Sequence, residues 1–175
     1  VNVSAVAPVV DGADVAMLDL TGSFNIGGDE GHIWYNRPAQ GQPFTPGNHA
    51  AGYRLRAVTL RNRSNVNGGS TATIRVGSVT GSTFSPIASE TAAAVANSIN
   101  TYVTYKFDAP VSLPSGGLYA FDVGVDGNGY ITDNNTDTLY PGGSAYSSGS
   151  GGAGDASVTL RSGDRVFHAD LMAVQ

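Results

Sequence analysis

Trp34 and Tyr35 stand side by side in GDEGHIWYNRP, followed at once by Asn36 and Arg37. Flat aromatic rings stack on the C–H faces of sugars, and an amide and a guanidinium beside them bond the hydroxyls. In a strand, neighbouring side chains point to opposite faces. One of the two rings therefore belongs on an outer face or rim, although Trp34 reads equally well as the core tryptophan of a sandwich. Tyr130, Tyr140 and Tyr146 lie in or beside late glycine-rich stretches, the last two within LYPGGSAYSSGSGGAG. The residues expected to contact a saccharide are Trp34, Tyr35, Asn36, Arg37, Tyr130, Tyr140 and Tyr146. The glycine-rich tract would be a surface loop forming one wall, since glycine lets a backbone approach a ligand without a Cβ.

Catalytic chemistry leaves little trace. Glycoside hydrolysis usually needs two carboxylates flanking the scissile bond, and the chain has only two glutamates, Glu30 and Glu90, with its aspartates mostly in turns. Neither a G-x-S-x-G elbow nor an H-E-x-x-H helix motif occurs. The histidines, His32, His49 and His168, are scattered. A lyase using His, Tyr and Arg would need those residues to converge in space and a charged groove, and charge is scarce. A polysaccharide lyase or hydrolase is the least favoured reading, and no enzymatic activity is expected.

Two charged features remain. YRLRAVTLRNR holds Arg54, Arg56, Arg61 and Arg63, and Arg75 follows on a later strand. Such a row is a solvated outer face that discourages sheet pairing, or a patch for sulfate or uronate groups, onto which guanidinium forks. Asp170 alternates with Phe167, Ala169 and Leu171, so it is expected to point outward on the last strand. There it could meet a carboxylate from an N-terminal loop and hold a calcium ion, which takes six to eight oxygens.

The elements that must position these residues are short strands. TATIRVGSV, YVTYKF, GLYAFDVGV and RVFHADLMA each alternate apolar and polar residues with a period of two, which gives strands with one face buried. Turn residues separate them at DG, PGN, NGG, TGS and PSGG. The segment SETAAAVANSIN, 89–100, admits a short helix, but its flanks are strand-like. The 24 glycines and the 13% of charged residues, about half the usual ~25%, suit strands and turns better than helices. The expected fold is all-β, a two-sheet antiparallel β-sandwich of jelly-roll type, built as one domain over residues 1–175. The piece following the 141–154 tract is too short to bury a face alone, so the tract belongs inside the domain.

A net charge of −5 with a single lysine, Lys106, argues against nucleic acid as the main partner. No apolar run approaches the ~20 residues of a membrane-spanning helix. Without cysteine there is neither a disulfide framework nor a thiolate metal site. If the protein is exported, a leader would have been removed ahead of VNVSAVAP.

The frame GQPFTPGNHAAGYRLRAVTLRN, then TATIRVGSV, LYAFDVGV, YPGGSAYSSG and LRSGDRVFHADLMAV, resembles secreted bacterial β-sandwich accessory modules. More broadly it resembles the jelly-roll carbohydrate-binding modules of polysaccharide-degrading enzymes. That resemblance implies a structural Ca2+ between an N-terminal loop and the last strand, with Asp170 and Asp29 or Glu30 as ligands. It also implies a monomer, secreted or at the cell surface, linked to catalytic or surface domains and targeting them to a polysaccharide; the arginine row points to an anionic polymer of marine type. The alternative is a structural or adhesive spacer domain of a large bacterial surface protein.

Overall fold

The computed structural model describes residues 2–4, 39–47, 49–63, 66–98, 100–126, 132, 134–135, 140, 142–149, 154–161 and 163–174. Their regular elements are twelve strands: β1 (Asn2–Ser4), β2 (Ala39–Phe44), β3 (Tyr53–Arg61), β4 (Thr71–Thr80), β5 (Thr83–Ala93) and β6 (Tyr102–Leu113), then β7 (Tyr119–Val125), β8 (Asn134–Asn135), β9 (Tyr146–Ser148), β10 (Val158–Leu160), β11 (Asp164–Arg165) and β12 (Phe167–Ala173). Among the described residues no helix is long and apolar enough to cross a membrane.

All pairings between these strands are antiparallel. A four-stranded sheet runs β1-β6-β3-β12, a six-stranded sheet runs β10-β9-β2-β7-β4-β5, and β11 pairs with β8. The pairs β4–β5, β3–β6 and β2–β7 are nested in sequence, with the middle pair in the other sheet. That is a long hairpin rolled into two layers, the jelly-roll wrap. β1 departs from the pattern by pairing with β6 rather than β12. Of the segment 89–100, residues 89–93 are the end of β5, and the described residues after it are turn and coil with Asn97 and Asn100 at positive φ rather than helix.

The period-two strands supply the core as expected. Ile74 and Val76 of β4, and Phe121, Val123 and Val125 of β7, face Leu55, Val58 and Leu60 of β3, Val103, Tyr105 and Phe107 of β6, and Phe167, Ala169 and Leu171 of β12. The two layers meet where Phe121 and Phe167 have ring centroids 5.5 Å apart.

The far face of the six-stranded sheet is covered across β4, β7 and β9, while Ser89 and Thr91 of β5 stay exposed. It curls around a second, smaller core of Phe84, Ala120, Tyr146 and Val158, with Val79 against it. The curl begins at a register shift between Val76 and Gly77, beyond which the β4–β5 hairpin bends over. Its tip is fastened to the chain entering β10. The Phe84 N–H donates to the Ala156 carbonyl at 2.8 Å, the Val158 N–H donates to the Ser82 carbonyl at 2.9 Å, and Thr83 bridges Ser157. The first and last strands of the sheet are thereby tied together.

Gly77 is required by this bend. A Cβ there would lie 2.1 Å from the Ser85 carbonyl oxygen, a backbone atom with no freedom to yield. We expect Gly77→Ala to lower stability by about 2 kcal/mol or more. Gly68→Ala, in an exposed turn with open space around it, should stay within about 0.5 kcal/mol of wild type. Urea midpoints of the two variants check this, and equal midpoints would remove the bend's dependence on glycine.

Candidate functional site

Of the residues expected to contact a saccharide, Trp34, Tyr35, Asn36, Arg37 and Tyr130 lie outside the described residues, as do the candidate metal ligands Asp29 and Glu30. Tyr140, Tyr146 and Asp170 can be placed.

Tyr146 corrects the expectation of an exposed loop tyrosine. It opens β9, a strand inside the six-stranded sheet between β10 and β2, and its side chain is fully buried. The ring lies flat across Gly41, where a Cβ would come within 2.2 Å of it. Its hydroxyl donates to the Phe121 carbonyl at 2.9 Å. Burial holds the phenol well above its ordinary pKa, and the nearby Asp122 carboxylate adds to the effect. A ring with both faces inside the protein cannot serve as a wall for a ligand. The tract 141–154 is likewise not one long irregular loop, because β9 threads its middle into the sheet.

Tyr140 is an anchor. It is half-buried, with its ring edge-on to Phe167 at 5.3 Å, and its hydroxyl accepts from the Thr45 N–H at 2.8 Å. Its own N–H donates to Asp164 Oδ2 at 3.0 Å. The hydroxyl edge borders solvent, and the ring ties the start of the tract to the main core.

Asp170 is on the outward side of β12, as expected, but its company differs. β3 bulges at Arg56 against Asp170 and Leu171. The extra residue carries its guanidinium onto the carboxylate, with Nε donating to Oδ1 at 2.8 Å and Nη2 donating to the same oxygen. The guanidinium takes up Oδ1, and Asp29 and Glu30, the ligands expected to join Asp170 on a calcium ion, lie outside the described residues. Among the described residues no cluster of three or more His, Cys, Asp or Glu could hold a metal.

The most developed polar constellation was not anticipated. Asp122 sits mid-β7 with no exposure, opposite Arg75 of β4 in register. Arg75 Nε donates to Asp122 Oδ1 at 2.8 Å, and Nη2 donates to Oδ2 at 2.5 Å. The Ser148 hydroxyl of β9 accepts from Arg75 Nη2 at 2.7 Å and donates to Asp122 Oδ2 at 2.8 Å. The guanidinium lies 4.3 Å over the Phe84 ring, within cation–π range. Gly154, at φ +74°, closes the cluster from above. A Cβ there would come 2.5 Å from Ser148 Oγ and 2.6 Å from Arg75 Nη2. The far end of the glycine-rich tract is therefore a backbone plug over a buried ion pair.

Burial, the largest influence on Asp122, pushes its carboxyl above the usual range, and the bonds from Arg75 and Ser148 only partly offset it. Burial works against the Arg75 charge as well, but Asp122 outweighs it and holds the guanidinium above its ordinary value. The hydroxyl proton of Ser148 faces a buried carboxylate, and the third member is a permanent cation. The trio can lock strands together but offers no accessible base to activate a nucleophile.

A second group fixes the rim. The Gln42 amide donates to the Gly143 carbonyl at 2.7 Å and to Asp164 Oδ1 at 2.9 Å, and its oxygen accepts from the Arg165 N–H at 2.8 Å. Arg165 Nη2 donates to the Tyr146 carbonyl at 2.8 Å. Burial raises the Asp164 carboxyl, against the bonds from Tyr140 and Gln42. Asp155, fully exposed, is instead lowered by the hydroxyl and N–H of Ser157.

Arg54 and Arg61 of β3 share the outer face only because the bulge at Arg56 shifts the alternation, since seven residues apart they would face opposite ways on a regular strand. Arg54 is exposed, Arg56 and Arg61 are partly so, and Arg61 is paired in register with Tyr102, its guanidinium 6.0 Å from the ring centroid. Arg75 is the exception, buried by the curl of its sheet.

No family model, curated protein or solved structure matches the chain.

Two outcomes follow. Arg75→Met leaves a buried carboxylate without its cation and should cost about 3–5 kcal/mol, whereas Arg75→Met with Asp122→Leu should return to within about 2 kcal/mol of wild type. Equal losses in the single and double variants, by chemical denaturation, would count against a coupled pair. For Asp164, a raised folded pKa means its stabilising contribution is present below the unfolded value near ~3.9 and is lost as pH rises through the folded value. The stability advantage of wild type over Asp164→Asn should therefore shrink from pH 4 to pH 7. An advantage that grows with pH contradicts the assignment.

Proposed function

We propose that this chain is a non-catalytic β-sandwich scaffold module, a structural or adhesive spacer within a larger secreted or surface protein. The observation that carries this reading is the fate of its shifted acids. Asp122 is tied to Arg75 and Ser148, Asp164 to Gln42 and the Tyr140 N–H, and Asp155 to Ser157. Shifted carboxyl groups mark catalytic sites when they face a cleft, and structural ion pairs shift them too. Here each one fastens a strand or turn. The ties concentrate on the glycine-rich tract and the sheet it completes, so they stiffen the part of the fold least able to hold itself by apolar packing.

The polysaccharide-targeting role expected from the sequence stands as the second reading. The observation that favours it is the Arg61–Tyr102 pair, with Arg63 donating to Asn100 Oδ1 at 3.2 Å beside it. Tyr146 has no part in that reading, and Tyr140 offers only its edge.

Incubation with a panel of neutral and acidic polysaccharides should yield neither new reducing ends nor unsaturated products. Neutral glycans should not be retained in a pull-down. Product release would replace the scaffold reading with an enzyme. Retention of a neutral glycan that is lost in Trp34→Ala would replace it with a targeting module.

A further inference from the structure

An asparagine can react with its own backbone. The nitrogen of the next residue, once it loses its proton, attacks the side-chain amide carbon. Whether it reaches depends on what that next residue is and how it is held. Among the described asparagines, Asn67 alone is followed by glycine. Asn128 is followed by glycine too and lies outside the described residues.

Asn67 and Gly68 are exposed at the tip of the connection between β3 and β4. The tip is a β-turn. Gly69, at φ +82°, takes the positive angle that a type II turn needs at its third residue. The Ser70 N–H meets the Asn67 carbonyl at 3.4 Å, a long and weak closure. Successive glycines give the tip a wide choice of backbone angles, and a Cβ built at Gly68 would meet nothing within 4 Å. The ends of the turn are fixed. The Asn97 N–H donates to the Val66 carbonyl at 3.0 Å, the Ala94 N–H donates to the Ser70 carbonyl at 2.8 Å, and Val66 is buried in the main core. A rearrangement confined to 67–69 therefore leaves the strands in place.

The other described asparagines that can be compared differ where it matters. Asn62 is buried, and its amide donates to Ser98 Oγ at 2.7 Å. Asn97 and Asn100 are exposed, but Ser98 and Thr101 follow them, and a Cβ crowds the attacking nitrogen. The Thr101 N–H is also spent on the Ser98 carbonyl at 3.1 Å.

From this geometry we infer that Asn67 is a site of self-modification, which closes onto the Gly68 nitrogen as a cyclic imide and reopens to aspartate and isoaspartate. Water is the only co-reactant. The Gly68 nitrogen gives its proton to solvent base and bonds to Asn67 Cγ, and the amide nitrogen takes up a proton and leaves as ammonia. Water then adds to a ring carbonyl and breaks its bond to nitrogen. Breakage at Cγ gives aspartate with the ordinary backbone. Breakage at the main-chain carbonyl gives isoaspartate, with the chain routed through Cβ and Cγ. Either product sets a carboxylate where a neutral amide stood. The inference goes beyond the scaffold role and is independent of it.

The test incubates the whole folded chain at neutral and at mildly alkaline pH in isotopically labelled water, then digests it and maps the peptides by mass. The peptide containing Asn67 should gain the mass of an amide-to-acid exchange with labelled oxygen. It should do so faster at the higher pH, and it should be a substrate for an isoaspartyl methyltransferase. Peptides containing Asn97 and Asn100 should stay unconverted over the same time. Gly68→Ala, for which the turn has room, should slow the conversion about tenfold or more. If that variant melts early, the contrast of Asn67 with Asn97 and Asn100 in the wild-type chain carries the test. No conversion at Asn67, conversion at Asn97 or Asn100 at the same rate, or an unchanged rate in a folded Gly68→Ala variant each overturns the inference.

Discussion

The sandwich depends on one buried contact, the forked ion pair between Arg75 and Asp122 with Ser148 bridging it. It joins β4, β7 and β9, three strands of one sheet, on the face turned away from the main core. A six-stranded sheet with an exposed far face would need polar outward residues and would leave two long edges. Here the sheet bends at Gly77 and its ends meet at Thr83 and Ser157, which encloses the pair and covers part of both edges. Enclosure makes the charges costly to separate, because either alone would be stranded without water. The bend, the plug at Gly154 and the flat seat of Tyr146 on Gly41 are all consequences of accommodating that contact.

Much of the layer structure was legible in the sequence, because a period of two depends on local geometry alone. The apolar faces of β4, β6, β7 and β12 follow directly from TATIRVGSV, YVTYKF, GLYAFDVGV and RVFHADLMA. What period two could not report is whether the second face of a strand meets water or protein. Arg75 and Asp122 occupy the polar positions of their strands, as a wet face would require, and are buried because a distant hairpin tip folds over them. The clue available was that each is a lone charge between apolar neighbours in the middle of its strand. Using it required the register between β4 and β7, which no local pattern encodes.

Tyr146 shows the same limit from the other side. Glycine and serine around an aromatic suggest a loop, since such residues cannot build a core from their side chains. They can line one built by another residue. Gly41 and Gly154 bring backbone to within contact distance of a ring and a guanidinium, and the small neighbours of Tyr146 let β9 lie close against β2. Glycine marks close approach here, and the partner is the protein's own interior rather than a ligand. Tyr140 combines both meanings, with a ring in the core and a hydroxyl at the edge.

Charge is divided between the two layers accordingly. In the six-stranded sheet Arg75 and Asp122 lie inside, where they fix strand order and cannot meet a partner, while Glu90 of β5 is partly exposed. The four-stranded sheet, whose bulge at Arg56 sets one cation against Asp170 and whose end pairs Arg61 with Tyr102, keeps its charges outside. A buried pair contributes little long-range field because its charges cancel at close range, whereas exposed cations on one side act over about a Debye length.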